Sequence, residues 1–253
     1  MIGEGKFRAD LSRGFALLKK LAIAVYMNPR PTADQATTDL LRSAEGYVET
    51  YNRYFTYQAY DILLDDGAFF FFRRNLQDET LLSYGYFESP YIAMSFGQFV
   101  CEFYGSNPQA GIDVWQEYEE YRSQLPLRSH IVPLRYDWSP SLYREGAHPA
   151  AHLHLGYDTE LRLAVDAILT PLQFVLLVIR HFYLKAWEKT ASHLADVTHE
   201  AGSISDTGIV PEYRKGRDLL ELRLVATAAY EGVVANGRPI RTDQPRQRSR
   251  PKR

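Results

Sequence analysis

Three of the seven histidines lie within seven residues of one another, at His148, His152 and His154. Imidazole is the side chain best suited to proton transfer or metal ligation near neutral pH. Arg135 and Asp137 shortly precede the histidines, and such a pair combines an anion-binding group with a carboxylate that can orient an imidazole. These five residues are therefore the candidate site.

A strand would bring the candidate residues onto one face. Side chains at positions i and i+2 of a strand point to the same side, about 6.5 to 7 Å apart. His152 and His154 have that spacing, as do Arg135 and Asp137. His148 is separated from them by Pro149, so we expect it to approach from the preceding turn.

The first of three hypotheses is metal-independent cleavage of RNA. One histidine would deprotonate the ribose 2′-hydroxyl and another would protonate the leaving oxygen. Arg135 would stabilise the charge that grows on the phosphate, and Asp137 would orient an imidazole. This mechanism needs no cofactor.

Two other hypotheses use the same residues. A divalent ion such as zinc could be held by the His-x-His pair together with His148 and Asp137. Alternatively, the five residues form a structural network of ion pairs and hydrogen bonds. The protein would then be a non-enzymatic interaction subunit that binds a partner protein or nucleic acid.

The elements that must position these residues follow from hydrophobic periodicity and turn signals. Asp65-Asp66-Gly67 predicts a hairpin turn, and the apolar run Phe69 to Phe72 predicts either a central strand covered on both faces or an exposed edge that meets a partner. We predict an α+β fold, an antiparallel sheet with N-terminal helices and a C-terminal covering helix. The predicted helices are Phe7 to Tyr26, Gln35 to Tyr54, Ile112 to Leu125 and Thr170 to Lys189. The predicted strands are Tyr60 to Leu64, Ala68 to Phe72, Leu81 to Phe87, Leu134 to Trp138, Ala151 to Gly156 and Glu160 to Val165.

Successive segments of the chain resemble the bacterial domain of unknown function 2290 family. The segments that carry this resemblance are Tyr60–Phe72, Ser83–Pro90, Leu134–Asp137, His148–Gly156 and Leu169–Phe174. The hairpin and the histidine block also resemble TumE-type toxins of toxin–antitoxin pairs. This second resemblance implies an RNA-cleaving, toxin-like fold. Our leading hypothesis is therefore a toxin-like or defence-related nuclease, for which a cognate antitoxin or a defence subunit is a candidate partner.

Charge separates the end of the chain from the remainder. The whole chain carries −2, whereas residues 238–253 contain seven basic residues against Asp243 alone and so carry +6, leaving −8 for residues 1–237. We predict a single domain over 1–237 and a disordered tail over 238–253. The tail residues expected to contact nucleic acid are Arg246, Arg248, Arg250, Lys252 and Arg253.

The remaining sequence features exclude several classes. Cys101 is the single cysteine, so the chain has no internal disulfide, and its apolar neighbours predict a buried side chain. No signal peptide or membrane-length apolar run is present, which predicts a cytoplasmic protein without a membrane partner. Tyr84, Tyr86 and Tyr91 either stack with bases or cover a sheet face. No P-loop, dinucleotide fingerprint or nucleophile elbow occurs.

Overall fold

The computed structural model describes residues 2–31, 35–75, 81–105, 113–144, 147–165 and 168–191. Within these ranges the architecture is α+β, as predicted. A seven-stranded antiparallel sheet has its strands in chain order. The strands are β1 (Ala24–Met27), β2 (Ile62–Leu64), β3 (Phe69–Arg74), β4 (Leu82–Phe87), β5 (Leu134–Trp138), β6 (Ala151–Leu155) and β7 (Leu163–Ala164).

Helices lie at both ends of the described chain and between the strands. They are α1 (Glu4–Lys20), α2 (Gln35–Arg42), α3 (Tyr47–Thr56), α4 (Phe96–Tyr104), α5 (Asp113–Ser123), α6 (Pro171–Phe182) and α7 (Leu184–Ala191). The hairpin, the strands at 82–87 and 134–138 and the helix after Thr170 confirm the sequence predictions. The covering helix begins with a capping box, in which Thr170 and Gln173 each bond the other's backbone N–H.

The strand β3 is covered on both faces, which is the first of the two alternatives that its run of four phenylalanines predicts. Phe70 and Phe72 belong to the larger core, which α1 and α6 complete on one side of the sheet. Phe69 and Phe71 face the opposite side and contact aromatic residues of α3, including Tyr54. The sheet is therefore the middle layer, and β3 lies in its interior.

A buried arginine joins α5 to α3 on this second side. The Arg122 guanidinium lies 4.3 Å from the ring centre of Phe55 and donates a hydrogen bond to Tyr51 Oη. Its carboxylate partner is Glu119, at 3.8 Å. Cation–π contact and hydrogen bonding thus hold a charge that would otherwise be costly to bury.

Three predicted helix boundaries were wrong. The first helix ends at Lys20 instead of continuing to Tyr26, because Ala22 adopts φ 56°. Residues Ala24–Met27 then form a strand. The second predicted helix is interrupted at Gly46, where φ is 101°. The C-terminal helix is interrupted at Tyr183, whose hydroxyl donates to Asp66 Oδ2 and meets Tyr86 Oη.

Two predictions about individual side chains also need correction. Cys101 is exposed, because it lies on the outward face of α4, a helix that the sequence analysis missed. Tyr84, Tyr86 and Tyr91 are buried in the cores, so these residues do not form a base-stacking surface. Their phenol rings supply apolar area to the packing of the sheet.

Several predictions lie outside the described residues. These are the domain boundary at residue 237 and the basic tail over 238–253. Among the described helices, none is long and apolar enough to cross a membrane.

Candidate carboxylate–histidine site

The registers of β4, β5 and β6 bring the candidate residues together. Arg135 lies opposite His154, and Asp137 lies opposite His152. On the other side of β5, Asp137 lies opposite Ser83. Because cross-strand partners share a face, these side chains form one row beside the cluster of aromatic residues under α3.

Asp137 is the centre of the cluster. Its Oδ1 accepts a hydrogen bond from Ser83 Oγ at 2.7 Å, and its Oδ2 accepts one from Arg135 Nε at 2.9 Å. The same Oδ2 lies 3.3 Å from His154 Nε2 and 3.9 Å from His152 Nε2. Burial opposes ionisation and is the largest single influence, but the contacts from His154, Arg135 and Ser83 together outweigh it and lower the Asp137 pKa to about 2.

His152 has a defined tautomer when it is neutral. Its Nδ1 lies 3.0 Å from the carbonyl oxygen of Pro149, which can only accept a hydrogen bond, so Nδ1 carries the proton. The lone pair is then on Nε2, on the side of Asp137. Burial, the largest cause, lowers the pKa of His152 to about 4, with further contributions from His154 and His148, whereas Asp137 opposes the shift. His152 is therefore neutral at pH 7.

His148 lies beside the cluster, on the turn before β6. Its backbone N–H and C=O pair with Arg144, and its ring centre is 4.9 Å from that of His152. The His148 Nδ1 atom is buried and has no hydrogen-bond partner among the described residues. A buried ring nitrogen without a partner is costly, so this atom is available to a bound ligand or water molecule.

The cluster opens to solvent on the side of Arg135. The exposed fraction of the side chain is 48% for Arg135 and 21% for Asp137, against 3% for His152 and 8% for His154. An anionic ligand would therefore meet the guanidinium first. The two imidazoles are more deeply buried.

Three residues could hold a metal ion. Asp137, His152 and His154 each offer one ligand atom, and these atoms all lie within 4.8 Å of one another. Two imidazoles and a carboxylate are a common ligand set for zinc and for other divalent transition metals.

Ser83 was missed in the sequence analysis. Its role depends on the register between β4 and β5, which no local pattern reveals. The face on which Ser83 lies could nevertheless have been predicted. Ser83 and Gly85 alternate with buried tyrosines, which places small and polar residues on one face of β4. The predicted tail residues Arg246, Arg248, Arg250, Lys252 and Arg253 lie outside the described part of the chain.

The fold and the site together define an α+β protein with a carboxylate–histidine cluster on an antiparallel sheet. A family model described as an uncharacterized conserved protein (DUF2290) matches residues 24–216, which include β1 to β7 and the whole cluster. The chain belongs to the DUF2290 family. A search of curated proteins gave no match. A search of solved structures also gave none.

Proposed function

We propose that this protein cleaves phosphodiester bonds in RNA at the cluster of Arg135, Asp137, His152 and His154. One observation carries the proposal: a half-exposed guanidinium shares a carboxylate with two buried imidazoles on one face of the sheet. In support of the proposal, a group that can bind phosphate contacts the same carboxylate as residues that can accept a proton or ligate a metal ion. A toxin-like or defence-related role, with a cognate antitoxin or defence subunit as partner, is the setting we propose for such an activity.

Each residue has a distinct part in this proposal. Arg135 binds the phosphate and stabilises the negative charge that increases in the transition state. Asp137 holds Arg135 and His154 in place through its Oδ2 atom. His152, neutral at pH 7, presents the Nε2 lone pair while Pro149 fixes its ring.

A second candidate is supported by the burial of the two imidazoles. His152 and His154 are nearly inaccessible, and the Asp137 carboxylate already has close partners at both oxygen atoms. A network of this kind can have a purely structural role, in which it holds β4, β5 and β6 together. The protein would then be an interaction subunit without catalytic activity.

Cleavage of a labelled RNA by the purified protein separates these candidates. We expect Arg135→Gln and His152→Ala each to lower the cleavage rate by about 100-fold or more, because each removes a group that acts on the reacting phosphate. His130→Gln is the matched control, since His130 is exposed on a loop and should leave the rate unchanged. Thermal melting of each variant reports whether the fold is retained.

The interaction-subunit hypothesis predicts a different result. The wild-type protein would cleave no RNA, and His152→Ala would only lower stability by about 1 to 3 kcal/mol, because its hydrogen-bond partners lose their contacts. That outcome would reject the nuclease proposal.

A further inference from the structure

We infer that Asp137, His152 and His154 bind one divalent ion of the zinc class, with Arg135 occupying the carboxylate when the metal is absent. The inference names a cofactor for the proposed cleavage site, and only its catalytic role rests on that proposed function. Binding of the ion itself follows from the ligand geometry.

The distances fit a metal ion of this size. Zinc lies about 2.0 to 2.2 Å from nitrogen and oxygen ligands, so two ligands at a tetrahedral angle are about 3.4 Å apart. His154 Nε2 and Asp137 Oδ2 are already 3.3 Å apart. His152 Nε2 is 3.9 Å from the same oxygen, and the three ligand atoms lie within 4.8 Å of one another, so the imidazoles must draw closer by about 1 Å to reach the zinc distances.

The surrounding contacts orient the ligands as metal sites require. Metal-binding histidines generally donate their second ring N–H to a carbonyl or carboxylate, which fixes the ring. His152 has this arrangement with Pro149, so its Nε2 is left for the ion. Ser83 donates to Asp137 Oδ1, which turns Oδ2 toward the two imidazoles.

Arg135 competes with the ion for Asp137. Its Nε donates to Oδ2, the same oxygen that faces the two imidazoles, and a guanidinium beside a divalent cation is repelled. Because the Arg135 side chain is about half exposed, it can leave Oδ2 without disturbing the core. Metal binding would therefore release the guanidinium toward a substrate phosphate.

His148 completes the surroundings of the ion without belonging to the three-residue group. Three protein ligands leave one tetrahedral position for water, as in catalytic zinc sites. The ring centre of His148 lies 4.9 Å from that of His152, and its buried, unpartnered Nδ1 would offer a hydrogen-bonding atom to such a water. This placement gives His148 a function that its protein contacts do not supply.

Equilibrium binding of Zn²⁺ to the metal-stripped full chain tests the inference. We expect one equivalent bound by the wild type, with elemental analysis for stoichiometry and a chromophoric chelator for affinity. His152→Ala and His154→Ala should each weaken binding by about 100-fold or more, and Ser83→Ala by about 10-fold, since it only orients a ligand. His130→Ala should bind as the wild type does.

Arg135→Met gives a test in the opposite direction. Removing the competing guanidinium should tighten Zn²⁺ binding by about 10-fold or more, whereas a merely structural role for Arg135 predicts no gain. Zn²⁺ should also raise the melting temperature of the wild type but not of the double variant His152→Ala/His154→Ala. Because each protein is compared with itself, with and without Zn²⁺, the shift in melting temperature remains informative even if the ligand variants are less stable.

The inference is overturned if the wild type binds no Zn²⁺, or if the double variant binds it with undiminished affinity. RNA cleavage that persists in excess chelator would reject the metal's catalytic role and leave the nuclease proposal standing. Tight Zn²⁺ binding that depends on His152 and His154, without any RNA cleavage, would reject the nuclease proposal and leave the metal site standing.

Discussion

At the scale of single residues, Asp137 determines the chemistry of the site. Its carboxylate is partly buried and has four polar neighbours, two of which are imidazoles on the adjacent strand. The two-residue period of strands was sufficient to predict that His152 and His154 share a face. The sequence grouped Asp137 with that pair, but which histidine lies opposite it could not be predicted, because that depends on the register between β5 and β6.

The lowered pKa of His152 predicts how stability depends on pH in the metal-free protein. In the unfolded chain His152 gains a proton below its ordinary pKa of 6.5, whereas in the folded protein it does so only near pH 4. The unfolded state therefore binds more protons between these values, and acidification favours unfolding. We expect the free energy of unfolding to fall by up to about 3 kcal/mol from this residue, beginning near pH 6.5.

Urea unfolding of His152→Asn, measured from pH 7 to pH 4, checks this prediction. The asparagine amide can still donate to the Pro149 carbonyl but does not titrate, so the variant should show a shallower decline. His130→Asn, at an exposed loop position, controls for the exchange of one histidine for asparagine. Asp137 affects stability in a lower pH range. Its pKa is about 2 in the folded protein and about 4 in the unfolded chain, so the stabilisation that it provides is lost only below about pH 4. Equal slopes for wild type and His152→Asn would contradict the assigned shift.

At the scale of elements, Gly85 allows the site and the aromatic cluster to share one face of the sheet. It lies between Phe71 on β3 and Arg135 on β5 in the register. A Cβ atom at Gly85 would lie 2.1 Å from Cε1 of Phe71, so the phenylalanine ring covers the glycine directly. Tyr54 stacks on the same ring from α3, which leaves Phe71 little room to move.

Gly85→Ala should therefore lower the free energy of unfolding by about 1 to 3 kcal/mol through overpacking. The matched control is Gly5→Ala in the first turn of α1, where an added Cβ meets nothing within 4 Å. Alanine is the better helix former, so this control should be neutral or more stable by up to about 1 kcal/mol.

Chemical denaturation of both variants and of Gly85→Ala/Phe71→Leu tests the packing argument. If overpacking against Phe71 is the cause, the smaller leucine should restore part of the lost stability. A Gly85→Ala variant as stable as the wild type would show that Phe71 can move aside.

Helices and strands were predicted correctly where neighbouring residues in the sequence determine the backbone conformation. Asp65-Asp66-Gly67 specified the hairpin, and Thr170-Pro171 specified the start of α6. The helix α4 was missed although Ser95 and Gln98 form a capping box, a signal that the sequence does contain. No local signal was found for the interruption at Tyr183, whose hydroxyl contacts the distant residues Tyr86 and Asp66.

At the scale of the whole molecule, the basic tail remains a sequence-based prediction. If residues 238–253 bind nucleic acid through phosphate contacts, deleting them should weaken RNA binding and flatten its salt dependence. Each lost contact should reduce the slope of log K against log salt by about 0.7 for a single strand. Zn²⁺ binding should be unaffected by the deletion, because the ligands lie on β5 and β6.

Titration of a labelled RNA at several salt concentrations provides the measurement. A chain whose tail is replaced by a neutral Ser/Gln sequence of equal length controls for the loss of chain itself. Affinity and salt slope that are identical in the intact, deleted and neutral-tail proteins would exclude a nucleic-acid role for the tail.

The strand order has a consequence for assembly of the fold. Each described strand pairs with the next one in the chain, so these pairings need no crossover connection. Each pairing closes only the loop between two consecutive strands. The α1–α6 contact is different, because Gly14 meets Val175 only after all seven strands have been made. During synthesis, Phe70 and Phe72 would therefore have an incomplete cover until α6 leaves the ribosome. Closure of the larger core is thus a late event, even though the sheet that carries the histidines can grow one strand at a time.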